Sequence, residues 1–318
     1  MQDTLSDERV LEIRKRLNQF CLENPAVSNR SIANNIGLSA GTISLFRNNK
    51  YNGNNAELAE RIEGYLNNEQ SSLNESVSKG VLKFALTTAA QDIFKVTNYA
   101  LTENTIGVVA GVPGCGKTIA VQEYKQRNRT TILIQVTPLV SQRSLIQDIC
   151  LELKIPVFAY SKHSDTPRPI SNYVLFKEIV KQLSGTKRIL ILDEGENLTV
   201  QCIEVVRRIQ DFTGIGLLLS GTPKLLDRLR GPRKELQQLF SRVGIWKEIN
   251  LLQIGDVKAI LQVNFPDAMK FANTFLQLSK HNGRLLQHLI TLTKRTVIDT
   301  GEALSDDLID EAAGSLLT

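Results

Sequence analysis

The residues Gly111-Val112-Pro113-Gly114-Cys115-Gly116-Lys117-Thr118 fit G-x-x-x-x-G-K-[ST], a spacing that wraps a loop around the phosphates of a nucleoside triphosphate. Glycines at these places open backbone angles closed to other residues, so successive N–H groups can converge on one phosphate. Gly111, Pro113, Gly114, Cys115 and Gly116 would form the cradle, Lys117 would reach the β- and γ-phosphates, and the Thr118 hydroxyl would ligate Mg²⁺. The motif alone implies ATP or GTP. A second constellation, Arg188-Ile189-Leu190-Ile191-Leu192-Asp193-Glu194, is an apolar run ending in two carboxylates, a Walker B pattern. Asp193 is expected to hold Mg²⁺ directly or through water, and Glu194 to polarise the attacking water. An acidic turn after a strand is common by itself; the phosphate loop is what gives these carboxylates a role. Further on, Thr222 follows a short apolar run and could orient the lytic water, with Ser220 as the second choice, and Arg242 closes the string Leu239-Phe240-Ser241-Arg242.

These side chains need elements to position them. Thr105 to Ala110 reads as a buried strand entering the loop and Ile119 to Arg127 as a helix leaving it, whose N-terminus favours an anion. Strand and helix then alternate: Thr131 to Val136, Ser141 to Leu153, Asn172 to Leu183, the Walker B run, Val200 to Phe212, and Gly216 to Ser220. That rhythm predicts an α/β fold with a parallel sheet, whose strand ends carry the ligand. The segment from Ile155 to Ile170 contains three prolines and reads as a loop, either a plain surface connection or one whose Lys162 and Arg168 face DNA. His163, His281 and His288 have no metal-ligand spacing. Lys224, Arg228, Arg230, Arg233 and Lys234 crowd one segment and suit either a solvated helix face or a polyanion. Near the C-terminus, 256–263, 268–280, 285–297 and 304–317 read as a helical bundle.

At the other end, Leu5 to Leu22 carries an approximate helical stripe, and Ser31 to Ser39 followed by Ala40 to Phe46 predicts a helix-turn-helix with Gly37 in the turn. Ser39, Thr42, Ser44, Arg47 and Lys50 are its DNA-contact candidates, and few of them make the bidentate contacts that specify a base. A small three-helix bundle used for protein contacts is the alternative. The polar run from Asn67 to Ser76 reads as a linker. The expected organisation is therefore an N-terminal all-α module at 1–66, a linker at 67–80, an ATPase core at 81–250 and a helical domain at 251–318. With 318 residues, 42% of them hydrophobic, the chain can build conventional cores, which argues against general disorder. A net charge of +5 permits a polyanionic partner without requiring one. Four scattered cysteines, one of them inside the phosphate loop, suit a reducing cytoplasm, and no apolar stretch approaches the roughly 20 residues of a spanning helix, so no membrane role is expected.

Together the motifs resemble an AAA+ ATPase, and nearly the whole chain is similar to the B-protein family of ATP-dependent target-DNA activators of transposing phages. The resemblance rests on Gly37-Leu38-Ser39 with Gly41-Thr42-Ile43-Ser44, on Lys50-Tyr51-Asn52-Gly53, and on the two nucleotide motifs with Leu239 to Arg242. It implies ATP with Mg²⁺, a homo-oligomer that forms a helical filament on double-stranded DNA with little sequence demand, and recruitment of a DDE-type transposase in a bacterial cytoplasm. Arg242 matches the arginine-finger position, which reaches the γ-phosphate of a neighbouring subunit, and Thr222 matches a sensor position where asparagine is common. Residues 251–318 match a helical lid linked to transposase and DNA contacts; Arg284 is out of the usual register for a second sensor and carries no assignment. The competing reading is a site-specific helix-turn-helix transcription regulator with an ATPase signalling module.

Overall fold

The computed structural model describes residues 7–23, 28–78, 82–161, 164–231 and 241–315. They fall into two compact units, Met1–Val81 and Leu82–Thr318.

The first unit is helical: α1 (Asp7–Glu23), α2 (Asn29–Ile36), α3 (Ala40–Arg47) and α4 (Asn55–Ser78). Local capping sets the turn between α2 and α3. Ser28 opens α2 by accepting the Ser31 N–H, Gly37 closes it in the left-handed region at φ 69°, and Ser39 opens α3 by accepting the Thr42 N–H. Ile13, Leu17, Ile32, Ile43, Phe46 and Ile62 are fully buried and hold the bundle together. Helix α4 runs to Ser78, through the polar stretch expected to be a linker. That stretch is polar, yet it contains neither glycine nor proline after Gly64, so nothing in it ends a helix already begun.

The second unit is built on a five-stranded sheet in the order β2-β5-β6-β1-β7, parallel throughout: β1 (Ile106–Gly111), β2 (Thr131–Gln135), β5 (Ile189–Asp193), β6 (Gly216–Gly221) and β7 (Val243–Ile249). The inner strands β1, β5 and β6 are buried at every residue, as their unbroken apolar runs require. Side chains alternate across the sheet. Val109, Ile191 and Leu218 pack beneath α5 (Thr88–Thr102) and α6 (Lys117–Arg127), while Val108, Leu190 and Leu219 pack beneath α7 (Gln142–Glu152), α8 (Asn172–Leu183) and α9 (Val200–Thr213). The alternation of strand and helix expected from the sequence is therefore an α/β core with a parallel sheet, its C-terminal strand ends gathered on one side.

Two features of this unit differ from expectation. The segment read as a loop between Ile155 and Ile170 contains an antiparallel ribbon, β3 (Phe158–Ser161) with β4 (Ser164–Pro169), in which Ala159 faces Arg168. A two-stranded ribbon has a free edge on each strand, where proline's missing N–H costs no ladder bond, so Pro167 and Pro169 are tolerated. Lys162 and His163 lie outside the described residues. Strand β7 was not expected: Trp246, Lys247 and Glu248 are exposed and only Ile249 is buried, so this edge strand has no apolar signature.

Beyond β7 come α11 (Ile254–Asn264), α12 (Ala272–Leu278), α13 (Gly283–Thr300) and α14 (Asp306–Gly314), following α10 (Pro223–Arg230). Their core of Val257, Leu261, Phe275, Leu286, Leu289 and Ile290 is separate from those of the sheet. Polar bonds tie this layer to the segment that leads into α5. Asn264 Oδ1 accepts the Lys83 N–H at 2.7 Å while its Nδ2 donates to the Lys83 carbonyl at 3.0 Å, and Asp256 Oδ1 accepts the Thr88 N–H at 2.6 Å.

Candidate nucleotide site

Strand β1 delivers the chain to the loop and α6 carries it away. Gly114 (φ 86°) and Gly116 (φ 96°) adopt the left-handed region, so the turn depends on glycine at both. Gly111 has a different constraint: a β-carbon there would lie 2.8 Å from the Cys115 Sγ and 2.8 Å from the Ile249 carbonyl oxygen. Cys115 is buried beneath it as a free thiol. The Lys117 ammonium lies across the loop, donating to the carbonyls of Gly111 at 2.6 Å and Val112 at 3.1 Å and reaching the Cys115 sulfur at 3.5 Å.

Two hydroxyls converge on the Walker B aspartate. Thr118 Oγ1 donates to Asp193 Oδ2 at 2.7 Å, and Ser220 Oγ donates to Asp193 Oδ1 at 2.7 Å. The two groups expected to share a cation are thus already joined, at the C-terminal ends of β1 and β5. Among the described residues no cluster of three or more His, Cys, Asp or Glu could hold a metal unaided. The oxygen donors of Thr118 and Asp193 suit a Mg²⁺ ion.

Glu194 takes a left-handed conformation at φ 56°, uncommon for a residue with a side chain, and this turns its carboxylate out of the strand. Gln135 Nε2 donates to one oxygen at 3.2 Å and Asn197 Nδ2 to the other at 3.4 Å. Thr222 begins α10: its N–H donates to Glu196 Oε2 at 3.1 Å, whereas its Oγ1 is buried with no hydrogen-bond partner. Arg228 on α10 donates to the carbonyls of Glu196 and Leu198, pinning the turn after Asp193.

Arg242 lies elsewhere. β1 and β7 pair from Ile106 with Val243 to Gly111 with Ile249, so Arg242 stands at the end of the sheet opposite the phosphate loop. A strand of this length separates them by about 20 Å. Its guanidinium, 45% exposed, pairs with Asp211, which also accepts from Arg207 at 2.8 Å.

The sequence singled out Lys117, Thr118, Asp193, Glu194 and Thr222, and the structure brings them to one edge of the sheet. It missed Gln135 and Asn197, whose amides flank the Glu194 carboxylate, and it did not foresee that Ser220 holds Asp193. Polar residues ending otherwise apolar strands were the available signal for Gln135 and Ser220.

The DNA-contact candidates divide. Ser39 and Thr42 use their side chains on each other and on the α3 cap. Arg47 donates to Asn18 Oδ1 at 2.8 Å and Asn29 Oδ1 at 2.7 Å, which makes it a strut of the first unit. Ser44 is half-buried, while Lys50 and Arg168 are exposed.

A parallel sheet of this order, with a glycine loop, a hydroxyl-supported aspartate and a glutamate beyond it, defines a P-loop ATPase of the AAA class. The AAA domain family matches residues 101–229. The Aeropyrum pernix ORC2 protein in its ADP form has the same fold, with a TM-score of 0.51 at 14% identity, covering 71% of this chain and 67% of that one. The Mu-like prophage FluMu DNA transposition protein B of Haemophilus influenzae is 31% identical over 245 residues, 76% of this chain and 81% of that protein. The ATP-dependent target DNA activator B of Escherichia phage Mu is 29% identical over 299 residues, 92% of this chain and 91% of its own length. The chain belongs to this B-protein family of Mu-like phages and prophages. No helix among the described residues is long and apolar enough to cross a membrane.

Proposed function

We propose that this protein is an ATPase of DNA transposition that binds double-stranded DNA with little regard to sequence when it holds ATP, assembles there as a helical filament, and recruits and stimulates a DDE-type transposase in the bacterial cytoplasm. The observation that carries the reading is the separation of Arg242 from the phosphate loop along the same sheet. One subunit does not supply that arginine to its own site, so a site that uses it needs a neighbour, and hydrolysis becomes dependent on assembly. The names of the family's members support the role in transposition.

The residues divide the work as follows. The loop N–H groups from Gly111 to Gly116, including those around Pro113, Gly114 and Cys115, bind phosphate, and Lys117 leaves its carbonyl partners for the β- and γ-phosphates. Thr118 and Asp193 hold Mg²⁺, which supplies charge neutralisation to the phosphates when bound. Glu194 accepts the proton of the attacking water, and the Thr222 hydroxyl orients that water. Arg242 of a neighbouring subunit releases Asp211, which keeps its bond to Arg207, and stabilises charge on the transferring phosphoryl group. Residues 1–66 act as the DNA module, 67–80 as connector, 81–250 as motor and 251–318 as lid. With Arg47 locked and Ser39 and Thr42 committed to capping, side chains left for base edges are few, which favours the nonspecific reading over a site-specific regulator.

The test is phosphate release from ATP against protein concentration, with and without a random-sequence duplex, for the native chain, Lys117→Ala and Arg242→Ala. The native rate per subunit should rise with concentration and with DNA, and both variants should lose that rise. A rate per subunit that ignores concentration and DNA would overturn the reading.

A further inference from the structure

The phosphate loop has an outer rim as well as an inner one. When its N–H groups turn inward, its carbonyls turn outward, and each needs a donor. Two of those donors come from the C-terminal helical layer. The Gly283 N–H donates to the Gly114 carbonyl at 2.8 Å, and Asn282 Nδ2 donates to the Pro113 carbonyl at 3.3 Å. The other end of the same amide starts a helix: Asn282 Oδ1 accepts the N–H groups of Arg284 at 2.9 Å and Leu285 at 3.3 Å. One carboxamide therefore joins the loop to the first turn of α13.

Three further observations mark the contact as built. A β-carbon on Gly283 would lie 2.8 Å from the Gly114 carbonyl oxygen, and one on Gly114 would collide with the Asn282 side chain, so both glycines permit the approach. Lys280 (φ 50°) and His281 (φ 61°) are consecutive left-handed residues with side chains, a costly turn that presents Asn282 to the loop. That turn is anchored, since the Leu252 N–H donates to the His281 carbonyl at 3.1 Å and the His281 Nδ1 lies 2.9 Å from the Leu252 carbonyl oxygen.

We infer that Asn282 and Gly283 are positioning residues for the nucleotide site. They hold the outward carbonyls so that the inward N–H groups stay aimed at one point, and they transmit occupancy of the loop to α13. The inference rests on the nucleotide reading above.

Asn282→Asp is the discriminating variant. Aspartate caps a helix as well as asparagine does, so α13 keeps its start, but the donor to Pro113 is gone and a carboxylate faces a carbonyl. Gly283→Ala is the second variant, because its methyl group pushes Gly114 away without altering any cap. Backbone hydrogen exchange is followed over 111–118 and 283–292, with and without ATPγS and Mg²⁺, alongside calorimetric titration with ATPγS. In the native protein the analogue should slow exchange in both segments. Without analogue, both variants should exchange faster in 111–118 while Asn282→Asp keeps native exchange in α13. With analogue, the variants should regain protection in the loop but not in α13, and the Kd should rise about five- to tenfold, the effect of losing one hydrogen bond. Native protection of α13 by the analogue in both variants would overturn the inference while leaving the nucleotide reading intact. Failure of the analogue to protect 111–118 in the native protein would overturn both.

Discussion

Replacing Asp193 by asparagine should stabilise the protein while removing its use of Mg²⁺. Asp193 is 2% exposed, and its two oxygens each accept one hydroxyl at 2.7 Å, with no ion pair to a basic side chain among the described residues. A buried carboxylate held only by neutral donors retains part of its desolvation cost. Asparagine keeps the shape, and the Thr118 hydroxyl can rotate to accept from the new amide, so the exchange should relieve about 1–2 kcal/mol. For a unit of this size that is a rise in Tm of about 2–8 °C. The single tryptophan, Trp246 on β7, reports unfolding of the sheet by its emission. In the same assay, ATP at 100 times its Kd should stabilise the native protein by about 2.7 kcal/mol. The part of that gain that depends on Mg²⁺ should vanish in the variant. A variant that melts below the native protein without ligand would show that the buried carboxylate is not destabilising, and one that keeps the full Mg²⁺-dependent shift would show that Asp193 does not hold the ion.

Other changes probe neighbouring parts of the protein. Arg242→Ala should leave the Kd for ATP within about twofold and reduce assembled hydrolysis by about 10³-fold or more, and mixing it with Lys117→Ala should restore part of the rate, read by phosphate release. Gly111→Ala should destabilise the sheet by about 1–3 kcal/mol and abolish nucleotide binding, because the new methyl group meets both the Cys115 sulfur and the Ile249 carbonyl, as denaturant midpoints and calorimetry would reveal. Burial pushes the Cys150 thiol from 9.0 up to about 11. Its folded value thus exceeds its unfolded one, so its contribution is complete below pH 9 and is lost as the pH rises to about 11; Cys150→Ala should flatten the fall in urea midpoint across that window. Arg168→Ala should weaken binding to all duplexes alike and lower the salt slope by about one, measured by anisotropy at several salt concentrations.

The inner sheet was legible because burial on both faces leaves an unbroken apolar run, as in Ile189 to Leu192 between its motif carboxylates and the preceding turn. β7 was not, because an edge strand with Trp246, Lys247 and Glu248 in solvent lacks that signal, and its pairing with β1 is a tertiary fact. The ribbon of β3 and β4 was hidden by prolines that a free edge tolerates, and the continuation of α4 by polar residues that no breaker interrupts. Within the site, Lys117, Thr118 and Asp193 announce themselves by spacing. Ser220, Gln135 and Asn197 do not, since each acts through a partner on another strand or turn. Arg47 shows the complementary case: its charge suggested DNA, and only the structure reveals that its guanidinium also donates to Asn18 and Asn29.

The most direct test of ATP-controlled assembly is fluorescence anisotropy of two unrelated DNA duplexes titrated with the native chain and with Lys117→Ala, in ATP, ADP or no nucleotide. Steep, cooperative binding to both duplexes is expected only with ATP, and is lost in the variant. Equal binding without nucleotide, or tight binding to one duplex alone, would contradict it.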